Sequence, residues 1–410
     1  MKGFFSTSET QSTSRPDGKV YSCASCGLYA KATHPKMKPV GNFKKGILNI
    51  GESPEMVDDE VGKPFQGKNG RILKRMFHML GIDLFEDCLN VNAVNCLTIG
   101  EEGIDSAPTK YHVSCCRKSI DRLIHKYKPK VVILHGSAAV ESIFGTRWHG
   151  KEIKSVNMWR GHTIPDRVYG AWVCPTFSLS QIATTDRKEM HIIWKQDLKN
   201  AVGMLDVPFP DYGDEEDCCE IRMDEEQYLQ ELLDNRPEYL AYDIETTGLK
   251  PYDTSIHRIV CISFCGDMEH SVCIPMPSTK KGLKLLRKVL THPDIGKMAH
   301  NMKMEDTWMN VIAGIQTYPW VFDTMQATHV LDNRPNICRL KVQGFLNFGL
   351  IGYEDEIQPY LTSKDSNTPN RIFECWESVT LREQLMVYCA IDSLITYRLA
   401  MIQMKKMGVL

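Results

Sequence analysis

The stretch Asp243-Ile-Glu245-Thr-Thr-Gly-Leu249 constrains this chain more than any other segment. It ends an apolar run, and on an extended strand residues two apart share a face, so both carboxylates point the same way. Hard oxygen donors in such a pair suit Mg2+ or Mn2+. Two such ions about 4 Å apart can activate water and stabilise a leaving oxygen in phosphodiester cleavage. A solvated acidic strand end has the same pattern. The two readings separate on whether the rest of the chain supplies further ligands.

Two later segments offer them. In His300-Asn301-Met-Lys-Met-Glu-Asp306, a short apolar strand from Lys297 to His300 gives way to a helical pattern expected to carry Asp306 inward. In Tyr388-Cys-Ala-Ile-Asp392, within an amphipathic stretch from about Thr380 to Met407, a phenol and a carboxylate four residues apart lie one helical turn from each other. They could address one water. Singly, Asp306 also fits an ordinary surface acid and Tyr388 a core aromatic. Their ordered occurrence within one expected domain favours a site.

In order and spacing these segments resemble the Exo I, Exo II and Exo III motifs of the proofreading 3′-5′ exonuclease in family A DNA polymerases, with the tyrosine marking the DEDDy subtype. The likeness extends to Ile259-Val-Cys-Ile-Ser263 and Phe322-Asp323-Thr324-Met325 and covers roughly residues 225 to 410. It implies a ribonuclease H-like fold. It further implies Asp243, Glu245, Asp306 and Asp392 as ligands of two Mg2+ (or Mn2+) ions, Tyr388 positioning the attacking water, and Asn301 near the nucleotide. Asp323 corresponds to a residue near the site that is not one of the four principal ligands.

With 410 residues the chain exceeds one usual core, so two domains are expected. Charge divides accordingly. Residues 1 to 205 hold 29 Lys+Arg against 20 Asp+Glu, a net of +9, and the remainder carries −11. Ten acids and one arginine lie between Asp206 and Glu226, among Pro208, Pro210 and Gly213, which reads as an acidic linker over 206–226. Residues 1–20 are expected as a disordered tail, 21–205 as the first domain and 227–410 as the second. The basic first half suits phosphate backbones.

In that half, apolar runs at Ile47 to Ile50, Leu89 to Val94, Val131 to Leu134 and Ala171 to Phe177 alternate with helical patterns near Gly70 to Leu80, Ser114 to Tyr127 and Thr185 to Leu205. Such alternation predicts a parallel sheet covered by helices on both faces, a three-layer α/β/α domain. Gly51-Glu-Ser-Pro54, Asp58-Asp59 and Gly62-Lys-Pro-Phe65-Gln-Gly67 follow the first strand. With Asn92 before Cys96, the strand Lys128-Pro-Lys-Val-Val-Ile-Leu and Arg160-Gly161, they resemble family 4 uracil-DNA glycosylases, the iron-sulfur class, over about residues 20 to 203.

The likeness implies a base pocket with Glu52, Phe65 stacking on a base and Asn92 reading its edge. It also implies a [4Fe-4S] cluster on Cys23, Cys26, Cys96 and Cys116, with Cys115 adjacent to the fourth position and a zinc site on four cysteines as the alternative. Fifteen cysteines without a secretory signal suit reduced thiols or metal ligation. The sequence departs from the family at two places. Glu55 stands where a glycine is usual, and Ser178 of Pro175-Thr-Phe-Ser178-Leu179 falls where the family has its active-site histidine. A serine cannot supply the positive charge of an imidazolium near a developing uracil anion. This domain is therefore expected to be catalytically silent and to bind DNA.

Together the two halves resemble the front portion of a bacteriophage family A polymerase, and no polymerase motif precedes Leu410. The expected function is proofreading-type hydrolysis at single-stranded or frayed DNA 3′ ends, as part or subunit of a replicative polymerase; if it is a subunit, a polymerase-domain polypeptide is the expected partner. The alternatives are a bifunctional repair enzyme with an active glycosylase, or an inert polymerase-assembly protein. No apolar h-region opens the chain and no run approaches the ~20 residues that span a bilayer, so a cytoplasmic location without membrane insertion is expected.

Overall fold

Three apolar runs of the N-terminal half, buried at every position, form adjacent strands of a parallel sheet. Strands covered on both faces read as continuous hydrophobic runs, which is why alternation is absent there. The structure, a computed structural model, describes residues 21–100, 106–148, 155–365 and 367–410; the expected tail over 1–20 lies outside them. The chain divides into two units. One holds the described residues up to Pro210 with Phe345–Gly349, the other Asp211–Gly344 and Leu350–Leu410.

In the first unit, β1 (Ile47–Gly51), β2 (Cys88–Asn92), β3 (Val131–His135), β4 (Ile164–Asp166) and β5 (Ala171–Thr176) take the order β2-β1-β3-β5-β4, with β4 alone antiparallel. The helices are α1 (Met56–Val61), α2 (Lys68–Met79), α3 (Lys110–Tyr127), α4 (Ser137–Phe144), α5 (Val156–Trp159), α6 (Leu179–Thr184) and α7 (Lys188–Gly203). Ile47 and Ile133 pack with Leu73 and Phe77 of α2 and with Trp194 and Leu198 of α7. Because β1, β2, β3 and β5 run parallel, the loops that follow them meet at one sheet end.

In the second unit, β6 (Cys219–Ile221), β7 (Tyr239–Thr246), β8 (Ile259–Cys265), β9 (Ser271–Pro275), β10 (Gly296–Ala299) and β11 (Trp320–Asp323) take the order β11-β10-β7-β8-β9-β6. Strand β8 is antiparallel to β7 and β9, and the remaining pairs are parallel. Helices α8 (Glu225–Asn235), α9 (Lys280–Leu290), α10 (Met302–Trp308), α11 (Thr324–Leu331), α12 (Leu340–Phe348), α13 (Gln358–Leu361), α14 (Ile372–Glu377) and α15 (Val379–Met407) surround it. Period-2 geometry sorts β7: Leu240, Tyr242 and Ile244 join the α8–α9 core, whereas Ala241 joins Leu394, Tyr397 and Ala400 of α15. Asp243 and Glu245 follow Ala241 on the α15 face.

Two expectations change. The acidic segment read as a linker through residue 226 is structured in its second half. There β6 extends the sheet edge beside β9, and buried Glu215 pairs with Arg398 of α15 at 3.4 Å, which offsets the cost of burying the acid. The stretch read as amphipathic is instead a 29-residue helix buried round most of its girth. By length and composition α15 could cross a membrane, contrary to the expectation that no run would. Most of its apolar window is buried inside this unit, because the helix lies on the sheet as its core.

Candidate functional site

Strand β7 delivers Asp243 and Glu245 to the buried side of α15. Donor atoms of Asp243, Glu245 and Cys389 lie mutually within 4.8 Å. One turn of α15 beyond Tyr388 stands Asp392, 7% exposed. Burial pushes the Asp243 carboxyl well above its ordinary range, and the charges of Asp392, Glu245 and Glu305 push it further. Burial and then Asp392 do the same to Glu245. Asp392 itself rises to about 6, chiefly by burial, with Lys341 and hydrogen bonds from Tyr353 and Tyr388 opposing the rise.

The third motif residue differs from the expectation. Asp306 turns away from the cluster: its Oδ1 accepts from the Thr317 backbone N–H at 3.1 Å and from Trp320 Nε1 at 3.4 Å. Glu305 takes the inward place. It is 3% exposed, its Oε2 is buried without a hydrogen-bond partner, and its charge bears on Asp243. Burial raises its carboxyl well above the usual range. The signal was in the periodicity, since positions 305, 308, 309 and 312 are the i, i+3, i+4, i+7 set of one face. Trp308, Met309 and Ile312 of that set all pack in the core.

The turn before α10 is held from β11. Asn301 adopts a left-handed backbone, φ 77°, and its N–H and that of Met302 donate to the two carboxylate oxygens of Asp323 at 3.1 and 3.0 Å. Asp323 also caps α11 through the N–H groups of Met325 and Gln326. One carboxylate thus locks two helix starts.

Two further residues escaped the motifs. Tyr353 donates its hydroxyl to Asp392 Oδ1 and stacks on Tyr388, ring centroids 5.7 Å apart at 28°. Lys341 of α12 stands beside both rings. Neither lies in a recognisable spacing relative to the acids, so no sequence signal marked them. Mutually repelling buried carboxylates, one of them with an unpartnered oxygen, are the kind of hard oxygen donors that a divalent cation neutralises. Cys389 additionally closes a buried thiol triangle with Cys261 and Cys273.

The first unit carries a cavity of about 260 Å3 lined by Gly51, Glu52, Phe65, Asn92, His135 and Ser178, among others. A Cβ on Gly51 would fall 2.3 Å from Asn92 Oδ1 and 3.1 Å from Phe65 Cζ, so the close approach of β1 to both side chains needs glycine. Glu52 is pinned: it accepts from the Ala138 N–H at 3.1 Å and from Ser178 Oγ at 2.6 Å. His135 is fully buried and burial lowers it to about 3, which keeps the imidazole neutral. Of the expected cluster ligands, Cys23 and Cys26 act electrostatically on Cys96 and on Cys116. Cys115 Sγ instead lies 3.7 Å from Ser25 Oγ. All fifteen thiols are free.

The profile of the "Uracil DNA glycosylase superfamily" matches residues 38–199, and that of a "3'-5' exonuclease" matches residues 221–407. The chain is similar to the type-4 uracil-DNA glycosylase of Thermotoga maritima, 27% identical over 187 residues that cover 46% of this chain and 91% of that protein. It is similar to the DNA polymerase of Bacillus phage SP01, 24% identical over 406 residues that cover 90% of this chain and 41% of the polymerase. The chain thus spans less than half of that relative's length. Among solved structures, Escherichia coli RNase D matches at a TM-score of 0.30 and 19% identity, covering 47% of this chain and 46% of that one. These profiles fall on the two sheets in turn: the chain joins a uracil-DNA glycosylase superfamily domain to a 3′-5′ exonuclease domain.

Proposed function

We propose that the second domain hydrolyses the terminal phosphodiester at DNA 3′ ends, with Asp243, Glu245, Glu305 and Asp392 holding two Mg2+ or Mn2+ ions. The observation that carries this is the convergence of those four carboxylates around a donor set with no internal counterion other than Lys341 among the described residues. When bound, the ions would lower the pKa of a water and stabilise the leaving oxygen. Tyr388, buried beside Asp392, would orient the attacking water through its hydroxyl, and Asn301, at the start of α10, would contact the terminal nucleotide. Asp306 has no part in this set.

In the first domain, the Phe65–Asn92 pocket would receive an unstacked base. Glycosidic cleavage would be absent, because Ser178 is engaged with Glu52 and the neutral His135 supplies no positive charge for a leaving uracil anion. Cys23, Cys26, Cys96 and Cys116 would hold a [4Fe-4S] cluster. The electrostatic action of Cys23 and Cys26 on both Cys96 and Cys116 supports four sulfurs gathered at one site, with tetrahedral zinc as the alternative occupant. Similarity to a phage polymerase over 90% of this chain supports action within a replicative polymerase, either as part of it or as a subunit with a polymerase-domain polypeptide as partner.

The deciding experiment supplies anaerobically purified protein with 3′-mismatched DNA and with uracil-containing DNA, with and without Mg2+. Mg2+-dependent release of mononucleotides from 3′ ends without abasic sites is expected. Release that persists in Asp243→Ala would refute the site, and abasic sites lost on changing Asn92 would establish the bifunctional alternative.

A further inference from the structure

Lys341 is brought to the acid cluster by α12, far in sequence from every carboxylate it serves. Its Nζ lies 5.0 Å from the Tyr388 ring centroid and 5.8 Å from that of Tyr353, and 3.3 Å from Glu354 Oε1. The two rings stack, and Tyr353 in turn donates to Asp392. One ammonium group therefore braces both tyrosines against the carboxylate that follows Tyr388 on the next turn of α15. Its charge also acts directly on Glu245 and Asp392, and it is the cation that opposes their mutual repulsion. The side chain keeps 28% of its exposure, so Lys341 lies at the solvent edge of the cluster.

We propose that Lys341 is a positioning residue of the exonuclease, clamping the Tyr353–Tyr388 pair over Asp392 and holding a fixed positive charge beside the metal-binding carboxylates. The inference rests on the exonuclease reading above. A cation over a ring face is attracted by the ring quadrupole, most strongly where water is excluded, and a stacked pair shares one cation only in one arrangement. The clamp sets where the Tyr388 hydroxyl points. The same charge costs something: it repels divalent ions from the carboxylates nearest to it. Lys341 therefore trades metal affinity for a fixed tyrosine, and the two effects move in opposite directions when it is removed.

That opposition supplies the test. Full-length Lys341→Met, Lys341→Arg and Tyr353→Phe would be assayed for nucleotide release from a 3′ single-stranded oligonucleotide across a Mg2+ titration, with wild type and Asp243→Ala as references. For Lys341→Met we expect kcat to fall by ~10–100-fold, the scale of a lost outer-sphere partner, with KM for DNA little changed. The half-saturating Mg2+ concentration should fall at the same time. Lys341→Arg should recover most of kcat, and Tyr353→Phe should lower kcat without the shift in Mg2+. A Lys341→Met protein with wild-type kcat would overturn the proposal. So would lost kcat accompanied by weaker Mg2+ binding, which marks general damage to the site. An inactive wild type would instead overturn the exonuclease reading itself.

Discussion

Glu305 and Asp306 are neighbours on α10 whose carboxylates serve opposite purposes. Glu305 is sealed inside, close enough for its charge to bear on Asp243, while Asp306 is spent on the Thr317 backbone and the Trp320 indole. Helical geometry alone separates them, since one residue step turns the side chain by roughly 100°.

Glu305→Gln should therefore lower 3′ nucleotide release by at least ~100-fold, because it removes a ligand rather than an outer partner. Asp306→Asn should leave the rate within about threefold of wild type and cost ~1 kcal/mol of stability through weakened hydrogen bonds. Paired turnover and urea-unfolding measurements check both. The opposite ranking of the two variants would restore Asp306 to the site.

The raised carboxyls predict how stability depends on pH without metal. Asp243, Glu245 and Glu305 are held above their ordinary range by burial, and Asp392 rises to about 6. A folded state that binds protons more tightly than the unfolded one gains stability at low pH and loses it as pH rises through the folded values. Metal-free Asp243→Asn should thus melt higher than wild type at pH 8 and close to it at pH 5. Mg2+ should reverse the order at pH 8 by stabilising wild type alone. Equal melting temperatures of the two metal-free proteins at pH 8 would show that this acid is not strained in the folded state.

Closing the base pocket should separate the two domains' tasks. Gly51→Ala places a methyl 2.3 Å from Asn92 Oδ1, so Asn92 and Phe65 must move. Affinity for duplex DNA carrying an unpaired base should fall by roughly tenfold, the scale of one lost stacked base, while exonuclease turnover on a saturating single strand stays unchanged. Filter binding and turnover on the same preparation test this, and undiminished affinity would remove the pocket from DNA binding.

Cysteine variants should distinguish the neighbours on α3. Cys116 feels Cys23, Cys26 and Cys96, whereas Cys115 faces Ser25. Cys116→Ser should abolish visible absorbance and iron content in anaerobic protein, and Cys115→Ser should keep both. Colourless wild type containing one zinc would favour the tetrahedral alternative.

The sequence by itself determined the two α/β domains, the carboxylate pair on one strand face and the Tyr388–Asp392 pair one turn apart. These are local facts: periods of 2 and 3.6 decide which side chains share a face before any tertiary contact forms. It also contained the answer for Glu305, visible only when the apolar face that runs from α10 into the turn after it is counted rather than the last acid of α10. Tertiary structure decided what depends on separated segments meeting. Lys341 and Tyr353 join Asp392 because α12 and the loop after it pack beside α15, and no spacing encodes that. The acidic segment became an edge strand because β9 offered an open edge and Arg398 a counterion to Glu215. A helix composed like a membrane span became the floor of the site because a six-stranded sheet and its helices removed it from water, a choice made by packing and not by composition.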